Sequence, residues 1–115
     1  MPDGWRIAFG KDLLEELREE LEQAGCLNTY RITDIKEKYG ILHWYDAGNT
    51  RHGREIISKY TGLSKRVCIC CGKPSTRVTT GWISPFCDAC VGDERSVPIE
   101  EWLHEFEDEE DGDES

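Results

Sequence analysis

Two Cys-x-x-Cys pairs, Cys68/Cys71 and Cys87/Cys90, stand fifteen residues apart and constrain this chain more than any other feature. Each pair predicts a knuckle, a tight turn that aims two thiolates at one point. Four thiolates at one point make a closed tetrahedral site suited to Zn²⁺. Gly72 follows Cys71, where a sharp turn of positive φ would let backbone N–H groups face the sulfurs. Between the knuckles, Thr76-Arg77-Val78-Thr79-Thr80, Gly81 and Trp82-Ile83-Ser84 read as strand, turn and strand, the pattern of a zinc ribbon. Such a site has no open position for substrate, so one Zn²⁺ ligated by Cys68, Cys71, Cys87 and Cys90 is expected to stabilise structure and not to do chemistry. Cys26 and Cys70 are left over; choosing Cys68 and Cys71 keeps the Cys-x-x-Cys-Gly pattern intact and leaves Cys70 as an alternative ligand or a spare thiol.

A metal staple suits a chain of 115 residues, which buries limited apolar surface by itself. No apolar run approaches the length needed to span a bilayer. No signal-peptide pattern precedes Trp5, so a reducing, cytoplasmic setting is expected, in which paired cysteines hold metal more often than they form disulfides. An iron–sulfur centre is a weaker fit to this knuckle spacing.

Charge divides the chain. Residues 1–99 hold 14 acidic and 14 basic side chains, whereas residues 100–115 hold ten acids and no Lys or Arg, so the whole net charge of −10 sits at the end. Arg51, Arg54, Lys59, Lys65, Arg66, Lys73 and Arg77 make a basic middle against the single acid Glu55.

Read in order, residues 1–65 predict a helix, hairpin and helix. Trp5, Ile7 and Phe9 alternate, which suggests an extended lead. Asp12 and Glu15 have capping-box spacing, Leu13, Leu14, Leu17, Leu21 and Ala24 repeat at helical period, and Gly25 supplies a stop. Tyr30 to Tyr39 reads as a strand with a bulge near Asp34, Gly40 as the turn, and Ile41 to Tyr45 as the antiparallel partner. Asn49 or Thr50 can cap a helix from Arg51 to Tyr60 that Gly62 ends. The ribbon occupies 66–92. In 93–106, Ser96 can cap a third helix with Pro98 in its first turn, and Ile99, Trp102, Leu103 and Phe106 form its apolar stripe. Residues 107–115 predict a disordered acidic tail, since acids at a helix C-terminus oppose the macrodipole. The expected fold class is α+β: a small antiparallel hairpin with packed helices, a zinc ribbon and an acidic C-terminal helix and tail.

Several segments together resemble one pattern. Ile35-Lys36-Glu37-Lys38-Tyr39-Gly40 with Leu42-His43-Trp44-Tyr45-Asp46-Ala47-Gly48-Asn49 is similar to the hairpin of small zinc-ribbon proteins encoded by phages and prophages. The knuckle Cys71-Gly72-Lys73-Pro74 and Gly81-Trp82-Ile83-Ser84-Pro85 before Cys87-Asp88-Ala89-Cys90 look similar too. The resemblance covers roughly residues 30 to 90; Cys70 and the acidic end depart from it. It implies a phage-related accessory protein acting in the host cytoplasm. Because small acidic phage proteins include inhibitors of host nucleases, anti-CRISPR proteins among them, it sets inhibition of a nucleic-acid-handling enzyme as the leading expectation.

On that expectation a monomer binds a host nuclease or its guide-loaded complex, such as a Cas nuclease, and blocks its engagement with DNA. Carboxylates can fill a channel evolved for phosphates. Glu100, Glu101, Glu105, Glu107, Asp108, Glu109 and Glu110 would supply charge, with Trp102 or Phe106 as anchor. The alternative is direct nucleic-acid binding through Arg66, Lys73 and Arg77 around Trp82. A solubilising role for the tail is the plain reading against both. An enzyme is not expected: His43, His52 and His104 are isolated and accompany no nucleophile motif or phosphate loop.

Overall fold

The computed structural model describes the backbone of residues 1–114 and the side chains of residues 1–106. The chain opens in a helix. Asp3–Trp5 (α1) has α geometry, Arg6–Gly10 forms a π segment, and Lys11–Ala24 (α2) continues as α-helix. The expected extended lead is therefore corrected. Trp5, Phe9, Leu13, Leu17 and Leu21 recur every four residues and are all buried. A strict spacing of four drifts by about 40° per step on a 3.6-residue turn. The wider i→i+5 turn of the π segment rotates less per residue and returns Trp5 and Phe9 to the buried face. Ile7, which made the segment look alternating, is 63 % exposed. Asp12 lies inside the helix and not at a cap, so the capping-box reading fails with the extended one. The stop is as expected: Gly25 takes φ 74°, its N–H bonds to the Glu22 carbonyl at 3.1 Å, and the Cys26 N–H reaches the Leu21 carbonyl at 2.9 Å. That pair of bonds is a Schellman cap.

Arg31–Lys38 (β1) and Ile41–Ala47 (β2) pair antiparallel, with the register shifting between Ile32 and Asp34, where the bulge was expected. Tyr39 and Gly40 both take positive φ, 54° and 78°, which is the requirement of a two-residue type I′ turn. The Tyr30 hydroxyl donates to Asp46 Oδ2 at 2.7 Å and accepts from Trp44 Nε1 at 2.8 Å, while Asn49 Nδ2 donates to the same Asp46 oxygen at 2.9 Å. This network fixes the open end of the hairpin. Burial, with help from Asp46, pushes the Tyr30 phenol well above its ordinary range.

Arg51–Ser64 (α3) is capped by the Thr50 hydroxyl, which accepts from the Gly53 N–H at 2.8 Å. It runs through Gly62 rather than ending there, because Gly62 does not take the positive φ of a helix-ending glycine and the helix continues to Ser64. Ser64 supplies the stop: its buried hydroxyl donates to the Thr61 carbonyl at 2.6 Å and accepts from the Leu42 N–H of β2 at 3.0 Å. The end of α3 thus covers the outer edge of β2. Ile56 and Tyr60 join the helical stripe, Leu42 and Val67 in the larger core.

A second sheet carries the cysteine ribbon. Arg77–Thr79 (β3) lies between Pro85–Phe86 (β4) and Ser96–Pro98 (β5), antiparallel to both. Asp88–Val91 (α4) is one turn in the second knuckle, and Ile99–Glu114 (α5) follows β5. Ser96 and Pro98 are therefore strand residues and not the cap and first turn of a helix. Proline is tolerated there because β5 is an edge strand. Ile99, Trp102, Leu103 and Val78 form a second, smaller core, with Phe106 packed against it and set edge-on to Trp102 at 5.3 Å. The expected disordered tail and the calls on Glu107, Asp108, Glu109 and Glu110 fall outside the residues whose side chains are described. Helix, strand, antiparallel hairpin and cysteine cluster together make an α+β fold.

Candidate metal centre

The two knuckles are built by backbone bonds before any metal is considered. Gly72 takes φ 86°, and its N–H closes the first turn on the Cys68 carbonyl at 3.1 Å, while the Cys68 N–H reaches the Lys73 carbonyl at 2.7 Å. In the second, the N–H groups of Cys90 and Val91 both bond to the Cys87 carbonyl, at 3.2 and 3.0 Å. The β3–β4 pairing, extended by the Thr76 N–H to the Phe86 carbonyl at 2.9 Å, carries one knuckle to the other.

The result is a cluster in which the sulfurs of Cys68, Cys71, Cys87 and Cys90 all lie within 4.8 Å of one another, with Cys71 and Cys87 at 3.6 Å. Cys68 and Cys87 are buried, and Cys71 and Cys90 half-buried. These are the four residues that the spacing predicts. Among the described residues no other group of His, Cys, Asp or Glu side chains converges in this way.

The four thiols influence one another's ionisation strongly. The Cys90 N–H, chiefly, stabilises the Cys87 thiolate and brings that thiol down to about 7. Cys90 is pushed far up by the neighbouring Cys87 and Cys71 sulfurs. At Cys71 the strongest single influence is the Lys73 N–H, which favours ionisation, yet burial and the sulfurs of Cys87 and Cys68 outweigh it and the thiol is raised. One thiolate forms readily and then opposes the rest. A bound cation supplies the opposite charge that lets all four ionise. A cluster of four soft ligands on two preformed turns can hold a metal ion.

Two glycines dock the rest of the molecule on this cluster. The Gly4 N–H donates to the Ile69 carbonyl at 2.9 Å, so the first turn of the N-terminal helix rests on the first knuckle. A Cβ at Gly4 would overlap the Cys68 carbonyl oxygen and sit 2.5 Å from the carbonyl carbon of Ile69. On the other side, Gly40 at the hairpin tip meets the Ile83 carbonyl and Pro85 at 3.1 Å from where its Cβ would be. The sequence signalled Gly40 as a turn but gave no sign of Gly4, whose role rests on a contact across more than sixty positions.

The residues proposed for partner contact fare unevenly. Glu100, Glu101 and Glu105 are exposed along α5. Trp102 is only 9 % exposed and belongs to the second core, so it is corrected from anchor to packing residue; Phe106 is half-buried, with the Lys65 ammonium 4.0 Å above its ring. The basic residues of the alternative set differ in what they touch. Arg77 is spent on Ser96, donating from Nε to its hydroxyl at 2.9 Å and from Nη2 to its carbonyl at 2.8 Å. Arg66 lines a groove with Glu100 and Glu101, beside acid rather than beside other bases. Lys73 sits at the knuckle end of the ribbon and Trp82 at the opposite turn, 77 % exposed. The three histidines lie on β2, α3 and α5: His43 stacks on Tyr45 at 6.3 Å, and His52 approaches Glu55 at 3.4 Å.

Among the described residues no helix is long and apolar enough to cross a membrane. Compared with known proteins, the chain matches no family model, no curated protein and no solved structure. The chemistry of its own residues is what a functional reading has to stand on.

Proposed function

We propose that this is a structural zinc protein that works by contact with a protein partner rather than by catalysis. Zinc is the metal best matched to the cluster. Four thiolates at the usual Zn–S length of about 2.3 Å stand roughly 3.8 Å apart, within the observed limit of 4.8 Å. With no open coordination position, the ion contributes folding energy and no reactive water. The partner we propose is a nucleic-acid-handling enzyme, such as a guide-loaded CRISPR Cas nuclease, inhibited by weakening its engagement with DNA. A phage-encoded accessory protein in the host cytoplasm is the setting this fits.

One observation supports the choice of partner: Glu100, Glu101 and Glu105 are exposed on a helix whose apolar residues Ile99, Trp102 and Leu103 are all buried. The carboxylates are held at fixed spacing by a packed core and lead into a run without a basic residue. A row of fixed negative charge is complementary to a channel built for phosphates, and counterion release on both sides favours the contact. The test is DNA cleavage by a guide-loaded Cas nuclease with the intact zinc protein and with the E100Q/E101Q/E105Q variant. Inhibition that falls by roughly tenfold or more in the variant, and weakens with added salt, is expected. Equal inhibition by both proteins would refute the acidic helix as the binding face, and no inhibition by either would refute the partner.

The exposure of Trp82 favours a second reading, nucleic acid bound at the ribbon tip. The nearby turn adds Tyr39, 67 % exposed, beside the Gly40 that touches Ile83 and Pro85. Two exposed rings offer stacking platforms for unpaired bases. A gel shift at low salt that disappears in Trp82→Ala would favour this reading over the first.

A further inference from the structure

The hairpin has two faces, and one of them rests on the larger core. Beyond the bulge, Ile35 and Glu37 of β1 stand opposite Trp44 and Leu42 of β2, and Ile35, Trp44 and Leu42 pack in that core. Side chains alternate along a strand, so Lys36 and Lys38, opposite His43 and Ile41, belong to the other face. Asp34 and Arg31, opposite Tyr45 and Ala47, belong to it too. Ile41 packs against the second core and covers this face near the turn. Farther along, Arg31, Lys36, Lys38 and Tyr45 are exposed and His43 is half-buried. The His43 and Tyr45 rings lie 6.3 Å apart and only 19° from parallel. Asp34 is the acid among the three bases of β1, and it is already engaged: Oδ1 accepts from the Ile35 N–H at 2.9 Å, and Oδ2 is 3.1 Å from Lys36 Nζ. Arg6, Lys11, Arg18, Arg51 and Lys59 on the helices are all paired with carboxylates. Among the described residues, Arg31 and Lys38 form no ion pair.

We propose that this outer face of the hairpin binds single-stranded DNA. The proposal stands apart from both readings above, because the face holds neither the α5 carboxylates nor Trp82. Its chemistry is divided between the strands: β1 presents cations, and β2 presents two rings in near-parallel planes. Phosphates meet the first and unpaired bases stack on the second, which is how single strands are held without sequence preference. From Arg31 to Lys38 the strand runs about 23 Å at roughly 3.3 Å per residue, room for a short stretch of backbone. A duplex fits poorly, since its bases are stacked on one another and offer the rings no free face. An acidic peptide would satisfy the bases but would bring nothing planar to Tyr45 and His43. Among single strands the assignment is DNA, because the carboxylate that could accept from a ribose 2′-hydroxyl is spent on Ile35 and Lys36. The net charge of −10 opposes approach from a distance, so the affinity comes from these local contacts.

The experiment follows the fluorescence anisotropy of a labelled oligothymidylate of about twelve nucleotides titrated with the full chain. Binding is expected at low salt, falling by roughly fivefold or more between about 50 and about 200 mM. Tyr45→Ala should weaken it by roughly fivefold or more, while Tyr45→Phe, which keeps the ring, should bind as the parent does. Arg31→Gln/Lys38→Gln should weaken binding and flatten its salt dependence. Trp82→Ala should leave it unchanged, and circular dichroism should show every variant folded. No binding by the parent protein at low salt would overturn the inference, as would equal binding by the hairpin variants. Loss in Trp82→Ala alone would place the nucleic acid at the ribbon tip instead. Equal competition by a duplex of the same length would reduce the contact to phosphates and refute the stacking. An oligouridylate held roughly tenfold more tightly would overturn the assignment to DNA. Self-association that sedimentation detects in the parent but not in Arg31→Gln/Lys38→Gln would give the face to the acids of a second copy and overturn the proposal.

Discussion

Gly4→Ala is a substitution that helix propensity and this structure judge oppositely. In an exposed helix the change would gain about 0.5–1 kcal/mol, because alanine loses less backbone entropy on folding. Here the new methyl carbon would overlap the Cys68 carbonyl oxygen and lie 2.5 and 2.7 Å from the carbonyl carbon and oxygen of Ile69. Those are backbone atoms of a knuckle closed by its own hydrogen bonds, so they cannot swing aside as a side chain would. Overpacking costs about 1–3 kcal/mol. If the helix start lifts away instead, the Gly4–Ile69 hydrogen bond is lost, worth roughly 1 kcal/mol, and Trp5, fully buried, is drawn toward water. After the propensity gain, a net destabilisation of about 1–2 kcal/mol remains, which for a chain of this size lowers the melting temperature by roughly 5–10 °C. Gly62→Ala is the control: it sits within α3 with nothing within 4 Å, so the same substitution should stabilise by about 0.5–1 kcal/mol. Thermal and urea unfolding at saturating zinc measure both. If Gly4→Ala were as stable as the parent protein, or more so, the docking of the N-terminal helix on the knuckle would be refuted.

Cys87→Ser should abolish stoichiometric zinc binding and, by circular dichroism and proteolysis, loosen the region from Cys68 to Cys90, since binding energy here is folding energy; a zinc-free variant of equal stability would contradict this. Protons compete with the metal at every ligand. With Cys87 alone held down to about 7 and Cys71 and Cys90 raised, affinity should fall as pH falls; chelator competition should show a loss of at least about a hundredfold from pH 8 to pH 6, the effect of one or more protons over two pH units. Tyr30→Phe leaves Trp44 Nε1 and one contact of Asp46 without the hydroxyl and should cost about 1–3 kcal/mol in urea unfolding. Trp102→Ala should cost about 3–5 kcal/mol, whereas Trp82→Ala, at a position 77 % exposed, should change stability by less than about 0.5 kcal/mol.

What the sequence revealed and what it hid have physical reasons. The knuckles, the bulged hairpin, the Thr50 cap and the Gly25 stop are written in residues whose conformational demands are local, and each stands where expected. The α5 stripe was also legible, because i, i+3, i+4, i+7 spacing is a local geometric code. The N-terminal helix was not, because three alternating apolar residues fit period two as well as a helix broken by a π turn. Only burial of Trp5 and Phe9 with exposure of Ile7 separates the two. The strand Ser96–Pro98 is three residues long and exists through pairing with β3, which no local pattern announces. Arg77 looked like a free cation since nothing nearby in sequence marks Ser96, nineteen positions on, as its partner. Trp102 belongs to the same i, i+3, i+4 stripe as Ile99 and Leu103, and that periodicity already argues for packing and against an anchoring role.

The close approach of Gly4 to Ile69 and of Gly40 to Ile83 has a consequence for how the chain reaches its fold. Both contacts close long loops, whose entropy must be lost before the contact repays it, so they belong to the late, non-local part of assembly. The hairpin and the helices can form early from local signals, and the knuckles can gather metal by themselves, but the joint between these parts is made last. Dissociation should run in reverse, with the joint opening first. Because the knuckles hold metal on their own, the joint can part while the zinc stays bound, and the escape of zinc would time a later event, the loss of the ribbon itself.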